Sequence, residues 1–241
     1  MKAFSLKSWP GAELLYPRQC IECNGEADPG YDYLCWNCAS RINFMKAPLC
    51  RVCGNTVEGR VDAAFVCHHC RHTPRQFDLA RSVARYDGVL RNLVHTYKYS
   101  QGIWLVRDLV RLLEVGWKSH FFLEEIDGVV WVPLHPTRQR SRGFNQACLL
   151  AVRLSQRVGL PIIRGVIRRD RATQSQTRLT ARQRTINVLK AFSCPRLDRV
   201  EGKRLLLVDD VMTTGATVNE VARCLRAAGT SAVHVLTVAR G

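Results

Sequence analysis

The 241-residue sequence has no long apolar run and comparatively few acidic residues. No stretch of about 18 or more apolar residues is present, so a membrane-spanning helix is not expected. Residues 1–20 lack the apolar core of a signal peptide, so we expect a cytoplasmic protein. Only 20 acidic residues stand against 36 lysines and arginines, giving a formal net charge of +16. This balance favours polyanionic partners such as nucleic acid, phosphorylated metabolites or acidic lipid headgroups.

The positive charge is concentrated in one part of the chain. Between Arg138 and Arg204, 17 lysines and arginines stand against 3 acids. Charge runs of this kind are most often solvated surfaces, but this one surrounds the candidate site described below, which favours phosphate binding. The pattern G-x-x-x-x-G-K-[ST] is absent, so a Walker-type nucleotide loop is excluded.

Cysteine, by contrast, is abundant and unevenly placed. Eight of the 11 cysteines lie before residue 71 and form four C-x-x-C pairs, which are Cys20/Cys23, Cys35/Cys38, Cys50/Cys53 and Cys67/Cys70. Each pair points two thiolates at one ion, and a structural zinc takes four such ligands, so the eight thiolates suit two zinc ions. Disulfides are disfavoured in a chain without an export signal. An iron–sulfur cluster is the alternative metal centre.

The order of the pairs leaves two arrangements open. Sequential pairing gives tandem zinc ribbons, and interleaved pairing gives a cross-braced module. We favour the tandem form, because 11 residues between knuckles suit a hairpin. Glycine, proline and charged residues crowd this segment, so we expect loss of metal to unfold residues 20–70 and to leave the rest folded. Residues 72–78 are interpreted as a linker. The predicted domains are a cysteine-rich, zinc-binding domain (1–78) and the domain that follows it (79–241).

From Leu79 onward, apolar strands alternate with amphipathic helices. Strands are predicted in LARSVARYDG, which ends in a turn, and in IDGVVWVP, PIIRGVI, KRLLLVDD and SAVHVLTVAR. Helices are predicted in VLRNLVHTYKY, between Ile103 and Trp117, and in FNQACLLAVRLSQRVG and ATVNEVARCLRAAG, whereas HPTRQRSRG is predicted to be a basic loop. This alternation predicts a parallel sheet covered on both faces. Ligands of such sheets bind beyond the carboxyl ends of the strands.

The segment LLLVDDVMTTGATVNE places two carboxylates at such a strand end. Asp209 and Asp210 follow the apolar run, and the turn MTTGAT leads into a helix. Gly215, which has no side chain, lets a ligand approach the backbone closely. The threonine hydroxyls and the free amides at the start of the helix would then surround an anion with hydrogen-bond donors. The carboxylates repel phosphate and suit vicinal hydroxyls or a shared magnesium ion. The predicted ligand therefore carries a phosphate beside a diol, as a ribose 5-phosphate does; a phosphoacceptor site and a plain capped helix are the alternatives.

VDDVMTTGAT resembles the ribose-phosphate motif of type I phosphoribosyltransferases. The four cysteine knuckles, YKYSQG (97–102), VPLHPTRQRSRGFNQA (132–147), RATQSQTRLTARQRTINVLKAF (171–192) and the acid pair follow the order of the ComF/GntX family. The resemblance spans nearly the whole chain. It implies an α/β fold, with a type I phosphoribosyltransferase-like parallel sheet that has helices on both faces and is preceded by a small double zinc-ribbon domain.

The resemblance also implies roles for residues. Asp209 and Asp210 would hold the ribose hydroxyls of phosphoribosyl pyrophosphate, bound with magnesium. The turn that would wrap the 5-phosphate consists of Thr213, Thr214, Gly215, Ala216 and Thr217. The basic loop would supply guanidinium donors to pyrophosphate from Arg138, Arg140 and Arg142.

The polar stretch 170–187 resembles the loop that closes over substrate in this fold. Its polar side chains are Arg171, Thr173, Gln176, Arg178, Arg182, Arg184 and Asn187. They include no evident catalytic base, so we assign closure and contact to them and no catalytic residue. His95 and Lys98 are expected on the surface of a helix, and His135 is a weaker site candidate.

Two functions follow from this resemblance. The first is a ComF-type factor for DNA uptake in competence, or for use of external DNA, which binds phosphoribosyl pyrophosphate or a nucleotide and contacts single-stranded DNA or DNA-uptake proteins. The second is an active phosphoribosyltransferase of nucleotide salvage, whose acceptor base the sequence does not identify.

Overall fold

A computed structural model describes residues 18–57, 65–173 and 180–241, and for Ala181 the backbone alone. The strands are β1 (Leu79–Arg85), β2 (Gly128–Trp131), β3 (Arg168–Arg169), β4 (Phe192–Ser193), β5 (Arg204–Met212) and β6 (Ala232–Arg240). The helices are α1 (Trp36–Ala39), α2 (His68–His72), α3 (Gly88–Tyr99), α4 (Val106–His120), α5 (Pro136–Arg142), α6 (Gln146–Val158), α7 (Ala181–Val188) and α8 (Ala216–Ala227).

Four strands form one parallel sheet in the order β1-β6-β5-β2. The predicted parallel sheet is thereby confirmed, with β5 and β6 at its centre. Strands β3 and β4 form a separate antiparallel ribbon. Because the strands are parallel, their carboxyl ends meet at one edge of the sheet, where β5 carries the acid pair.

Both faces of the sheet are buried, as alternation along β5 and β6 requires. Leu206 and Leu236 belong to an apolar core with α3, α4 and α6. Leu205 and Val233 belong to a second core, on the other face, with α8. Successive strand side chains point to opposite faces, so each apolar strand contributes to two cores and reads as a continuous apolar run.

Two segments differ from their sequence predictions. HPTRQRSRG was predicted as a loop, but most of it forms α5: Pro136 occupies the first turn, His135 accepts a hydrogen bond from the Thr137 amide at 3.4 Å, and Gly143 ends the helix with φ 80°. PIIRGVI was predicted as a strand, but only Ile162 bridges to β2. Gly165, with φ 72°, interrupts the extended chain there.

The cysteine-rich segment shares both cores of the sheet. Leu34 and Ile42 lie in the core that contains α3 and α4. Cys50 and Cys53 lie in the core that contains α8. The expectation that residues 20–70 unfold alone therefore needs revision, because their loss would expose apolar surface on both faces of the sheet.

Backbone hydrogen bonds fasten this segment to the rest of the chain. The amides of Asp32 and Tyr33 donate to the fully buried carboxylate of Asp108 at 2.7 and 2.8 Å. Along β1, the amide of Met45 donates to Val83 at 2.9 Å and that of Ala80 to Val52 at 2.7 Å. The cysteine-rich segment thus covers the outer edge of β1, which would otherwise expose unpaired backbone groups.

The predicted linker 72–78 is packed. Phe77 is buried in the core beside α8, and Asp78 accepts a hydrogen bond from the Val233 amide at 2.8 Å.

Over the three described ranges, no helix is both long and apolar enough to cross a membrane.

Candidate functional site

A cleft of about 450 Å³ opens at the carboxyl edge of the sheet. Five cationic side chains and two carboxylates line it, namely Lys98, Arg138, Arg142, Arg169, Arg184, Asp209 and Asp210. Further lining comes from Tyr86, Tyr99, Val132, Leu134, Asn145, Gln146, Ala147, Val211, Thr213, Thr217 and Gly241. The excess of cations makes the cleft suited to a polyanionic ligand.

Lys98 forms an ion pair with Asp210 inside this cleft. The two side chains meet at 2.7 Å and are 15% and 13% exposed. Burial alone would lower the pKa of Lys98, but the charge of Asp210 and its hydrogen bond outweigh burial and raise that pKa. The prediction that Lys98 is a surface residue was wrong. Lys98 follows the buried Tyr97 on α3, and its partner lies on a distant strand, so no local sequence pattern signals the pair.

The environment of Asp209 differs from that of Asp210. Burial and the neighbouring charge of Asp210 raise the pKa of Asp209 to about 8, although Lys98 opposes the rise. The two carboxylates therefore differ, with Asp210 paired to a cation and Asp209 able to donate as well as accept a hydrogen bond. A pair of this kind suits the hydroxyls of a sugar.

The raised pKa predicts how stability depends on pH. Between 3.8 and about 8, the folded chain keeps a proton on Asp209 that the unfolded chain has lost, so stability falls as pH rises through this window. We expect Asp209→Asn to remove this loss and to raise the Tm increasingly towards pH 8. A stabilisation of about 1 kcal/mol corresponds to a rise of roughly 2–4 °C.

Thermal unfolding from pH 5 to pH 8.5 would measure this effect. Asp198→Asn, which removes one exposed negative charge, is the matched control. An Asp209→Asn curve parallel to that of the wild type throughout this range would contradict the assignment.

The turn after β5 is built around a glycine at the start of α8. Gly215 adopts φ 78°, a conformation open mainly to glycine, and it caps α8. Thr214 Oγ1 accepts a hydrogen bond from the amide of Ala216 at 3.3 Å. Thr213 and Thr217 line the cleft, whereas Thr214, Gly215 and Ala216 shape the turn behind it. The start of the 12-residue helix α8 adds the positive end of its dipole.

Helix formation separates the three arginines of the predicted basic loop. Arg138 and Arg142 are four residues apart, share one face of α5 and line the cleft. Arg140, two residues from each, is exposed and is not among the cleft-lining residues. Arg142 hydrogen bonds Gln146 Oε1 at 3.1 Å and lies 4.8 Å from the centre of the Tyr99 ring.

Arg169 and Gln146 bring buried donors to the cleft that sequence reasoning missed. Arg169 is 6% exposed and Gln146 1%. Arg169 Nε and Gln146 Nε2 lack a hydrogen-bond partner among the described residues. Burial lowers the pKa of Arg169 to about 10, with the charge of Arg138 adding to the effect, yet the guanidinium remains charged. An unpaired buried donor costs about 1–3 kcal/mol, so a ligand acceptor here would recover stability.

The polar stretch 170–187 is only partly described, because Gln176 and Arg178 fall outside the described residues. Arg184 lines the cleft, and Thr173 accepts a hydrogen bond from Arg138 through its carbonyl at 2.7 Å. Arg171 instead donates to the carbonyls of Asn187 and Leu189, and Arg182 is exposed. His135 acts as the cap of α5, outside the cleft lining.

The eight knuckle cysteines form two four-sulfur clusters in sequential order. They are Cys20, Cys23, Cys35 and Cys38, and then Cys50, Cys53, Cys67 and Cys70. This confirms the tandem arrangement. Within each cluster the sulfurs lie within 4.8 Å of one another, and Cys23–Cys35 and Cys53–Cys67 are both 3.7 Å apart. A tetrahedral zinc with Zn–S of about 2.3 Å has sulfur–sulfur edges of about 3.8 Å, so the geometry fits zinc.

Backbone amides prepare these sulfurs for a metal. The amide of Cys67 donates to Cys50 Sγ at 3.3 Å. Burial alone would raise the pKa of Cys50, but backbone hydrogen bonds outweigh it and lower the pKa to about 7. The same balance lowers the pKa of Cys20 to about 7. In the same clusters, burial raises the pKa of Cys38 and of Cys53 to about 12, so a bound metal ion would have to displace the protons of these two thiols.

Comparisons with known proteins agree with both parts of the chain. Residues 11–72 match the double zinc ribbon domain model, and residues 140–241 match the phosphoribosyl transferase domain model. A solved structure of the allosteric regulatory enzyme of purine biosynthesis aligns with 24% identity and a TM-score of 0.38, covering 55% of this chain and 26% of that chain.

Curated relatives extend the match to nearly full length. Competence protein F of Haemophilus influenzae is 30% identical, with 92% of this chain and 96% of the relative covered. DNA utilization protein YhgH of Salmonella typhimurium is 34% identical over 86% of this chain and 96% of its own. Competence protein ComFC of Bacillus subtilis is 27% identical, with 83% of this chain and 80% of the relative covered. The chain therefore belongs to the ComF/GntX family, with a phosphoribosyltransferase-type domain and a double zinc ribbon whose two cysteine clusters fit zinc.

Proposed function

We propose that the cleft binds phosphoribosyl pyrophosphate or a nucleotide and that the chain is a ComF-type factor for DNA uptake or use of external DNA. In this proposal Asp209 and Asp210 hold the ribose hydroxyls, and the turn from Thr213 to Thr217 holds the 5-phosphate. We further propose residues 1–78 and 79–241 as its domains.

The single observation that carries the ligand proposal is the distribution of charge around the cleft. Carboxylates and the glycine turn occupy the end of β5, and Arg138, Arg142 and Arg169 lie in the same cleft. For a ribose that carries a single 5-phosphate, the turn from Thr213 to Thr217 would be sufficient to bind that phosphate. The additional arginines favour a ligand that carries further phosphate oxygens, since one of them is buried and its Nε has no partner in the part of the chain that the structure describes.

A magnesium ion could be shared between the ligand and the acid pair. Asp209 and Asp210 supply oxygen atoms of the kind that magnesium prefers, with the remaining positions taken by phosphate and water. When bound, the ion would neutralise pyrophosphate charge. Lys98 is already paired with Asp210, so we expect the arginines to provide much of the positive charge that compensates the pyrophosphate.

The proposed role in DNA handling comes from the relatives. Their names refer to competence and to DNA utilization, and they match this chain over most of its length. The net charge of +16 suits contact with single-stranded DNA as well as with phosphates. The two clusters need free thiols, which a reducing compartment preserves, so we propose that the protein acts in the cytoplasm.

The second candidate function is a phosphoribosyltransferase of nucleotide salvage. The acid pair would steady the ribose while positive charge develops at its anomeric carbon, and the arginines would stabilise departing pyrophosphate. The phosphoribosyl transferase domain match favours this candidate. Release of pyrophosphate with a panel of nucleobases would support it, and binding of phosphoribosyl pyrophosphate without such release would favour the first function.

A matched pair of arginine variants tests the binding proposal. We expect Arg169→Gln to weaken phosphoribosyl pyrophosphate binding by about tenfold to hundredfold, because a hydrogen bond to a charged group contributes about 1.5–3 kcal/mol. Arg140→Gln, which removes the same charge outside the cleft, should bind as the wild type does. Titration calorimetry with magnesium present measures both. Equal affinity of the two variants would contradict the placement of the ligand.

A separate titration tests the DNA contact. Binding of a single-stranded oligonucleotide at several salt concentrations should weaken as salt rises, because lysines and arginines displace counterions from phosphates. Salt-independent binding, or none, would contradict this part of the proposal without affecting the cleft.

A further inference from the structure

The second cysteine cluster is connected to the cleft through the end of β6. Arg240 Nη1 donates to the Cys53 carbonyl at 2.7 Å, and Arg240 Nη2 lies 3.7 Å from Cys53 Sγ. Arg240 pairs in register with Met212 of β5, and the next residue, Gly241, donates from its amide to the Met212 carbonyl at 3.1 Å. Gly241 itself lines the cleft. One end of this connection is therefore a cluster sulfur and the other is the cleft wall.

Arg75 makes a second connection from the same cluster to the phosphate turn. It lies five residues after Cys70, on the segment that leads from the cluster to β1. A methyl group added at Gly215 would lie 3.9 Å from Arg75 Nη1, so the guanidinium lies directly against the turn. The adjacent amide of Gln76 donates to Asn219 Oδ1 of α8 at 2.8 Å. The chain between the cluster and the sheet is thus held to the turn and to the first turns of α8.

The first cluster has its own arginine in a different setting. Arg41 Nη2 donates to Cys38 Sγ at 3.1 Å, and Arg41 is exposed on the first ribbon. Arg41 and Arg240 thus each lie beside a cluster sulfur, but Arg240 also directly precedes Gly241, which lines the cleft.

The charge of the second zinc site affects the arginines that connect it to the cleft. A zinc ion bound by four thiolates carries a net charge of about −2, which two nearby arginines compensate. Loss of the ion removes the centre that fixes the four sulfurs, and with it the negative charge that the Arg240 guanidinium faces beside Cys53. Arg75 and Arg240 would no longer be held in place, and the turn and the end of β6 would lose support.

We propose that Arg75 and Arg240 are positioning residues that couple the second zinc site to the phosphate turn. Metal in that site and a sugar phosphate in the cleft then stabilise each other, because coupling between two sites is reciprocal. This inference rests on the proposed function of the cleft.

Zinc release from the full-length protein tests the coupling. Release into a chromogenic chelator is followed with and without saturating phosphoribosyl pyrophosphate and magnesium, for wild type, Arg75→Gln, Arg240→Gln and the control Arg41→Gln. We expect two release phases, one accelerated by Arg75→Gln and the other by Arg41→Gln. The ligand should slow the first phase by about fivefold or more and leave the second unchanged. In Arg75→Gln and Arg240→Gln this slowing should be lost.

The outcomes separate the two proposals. If the ligand raises the Tm of the wild type but slows both phases equally, or neither, the coupling is contradicted while the cleft assignment stands. If the ligand neither raises the Tm nor slows release, the proposed function of the cleft fails and the coupling fails with it. The wild-type measurement decides between these cases even if a variant does not fold.

Discussion

Loss of the second zinc site is expected to unfold the whole chain, not the cysteine-rich segment alone. Cys50 and Cys53 share an apolar core with Leu205 and Leu207 of the central strand. Zinc sites of this type contribute an apparent free energy of about 10–16 kcal/mol, which is comparable to the total stability of about 5–15 kcal/mol of an ordinary protein. Cys53→Ser should therefore abolish the cooperative thermal transition.

Circular dichroism and zinc content measure this result together. Cys194→Ser, which changes a half-buried cysteine outside the clusters, is the control and should keep both zinc ions and the transition. A Cys53→Ser protein that retained a cooperative transition and a near-ultraviolet signal from residues 79–241 would show that the sheet folds without the cysteine-rich segment.

The second large effect is expected at the acid pair. Asp209→Asn combined with Asp210→Asn should abolish the rise in Tm caused by phosphoribosyl pyrophosphate with magnesium, because the change removes the negative charge of Asp210 and one carboxyl oxygen from each of the two side chains that would face the ribose hydroxyls. At a ligand concentration of about 100 times the Kd, binding stabilises by about 2.7 kcal/mol, or roughly 5–10 °C for a chain of this size.

Two comparisons isolate the ribose contact. The exposed Asp198→Asn should keep the full rise in Tm. In the wild type, ribose 5-phosphate should stabilise more than 2-deoxyribose 5-phosphate, since the latter lacks one hydroxyl. A double variant that still responded fully to phosphoribosyl pyrophosphate would contradict the role of these carboxylates.

The sequence predicts the sheet well because its signals are local. The apolar run of β5 is long enough to be buried on both faces, and the acids directly follow it. The spacing of Val89, Leu93 and Tyr97 marks the buried side of α3. The spacing of the cysteine pairs favours sequential pairing without fixing it, because each short interval between pairs can fold back as a hairpin.

Other features depend on contacts between distant residues, and local patterns do not reveal them. Lys98 reaches Asp210 only because α3 ends beside the carboxyl edge of the sheet. Arg169 enters the cleft on a two-residue strand in a polar stretch with no periodicity. The segment that forms α5 has no periodic apolar residues, so its sequence does not predict a helix or the face that Arg138 and Arg142 share. Cores shared between the cysteine-rich segment and the sheet likewise follow from packing alone.

A crystal structure of the full chain with phosphoribosyl pyrophosphate and magnesium tests the central claim most directly. We predict the ribose beside Asp209 and Asp210, its 5-phosphate on the amides and hydroxyls between Thr213 and Thr217, and its pyrophosphate towards Arg138 and Arg169. A cleft that stayed empty at saturating ligand, or a ligand bound with its phosphate away from this turn, would contradict the account.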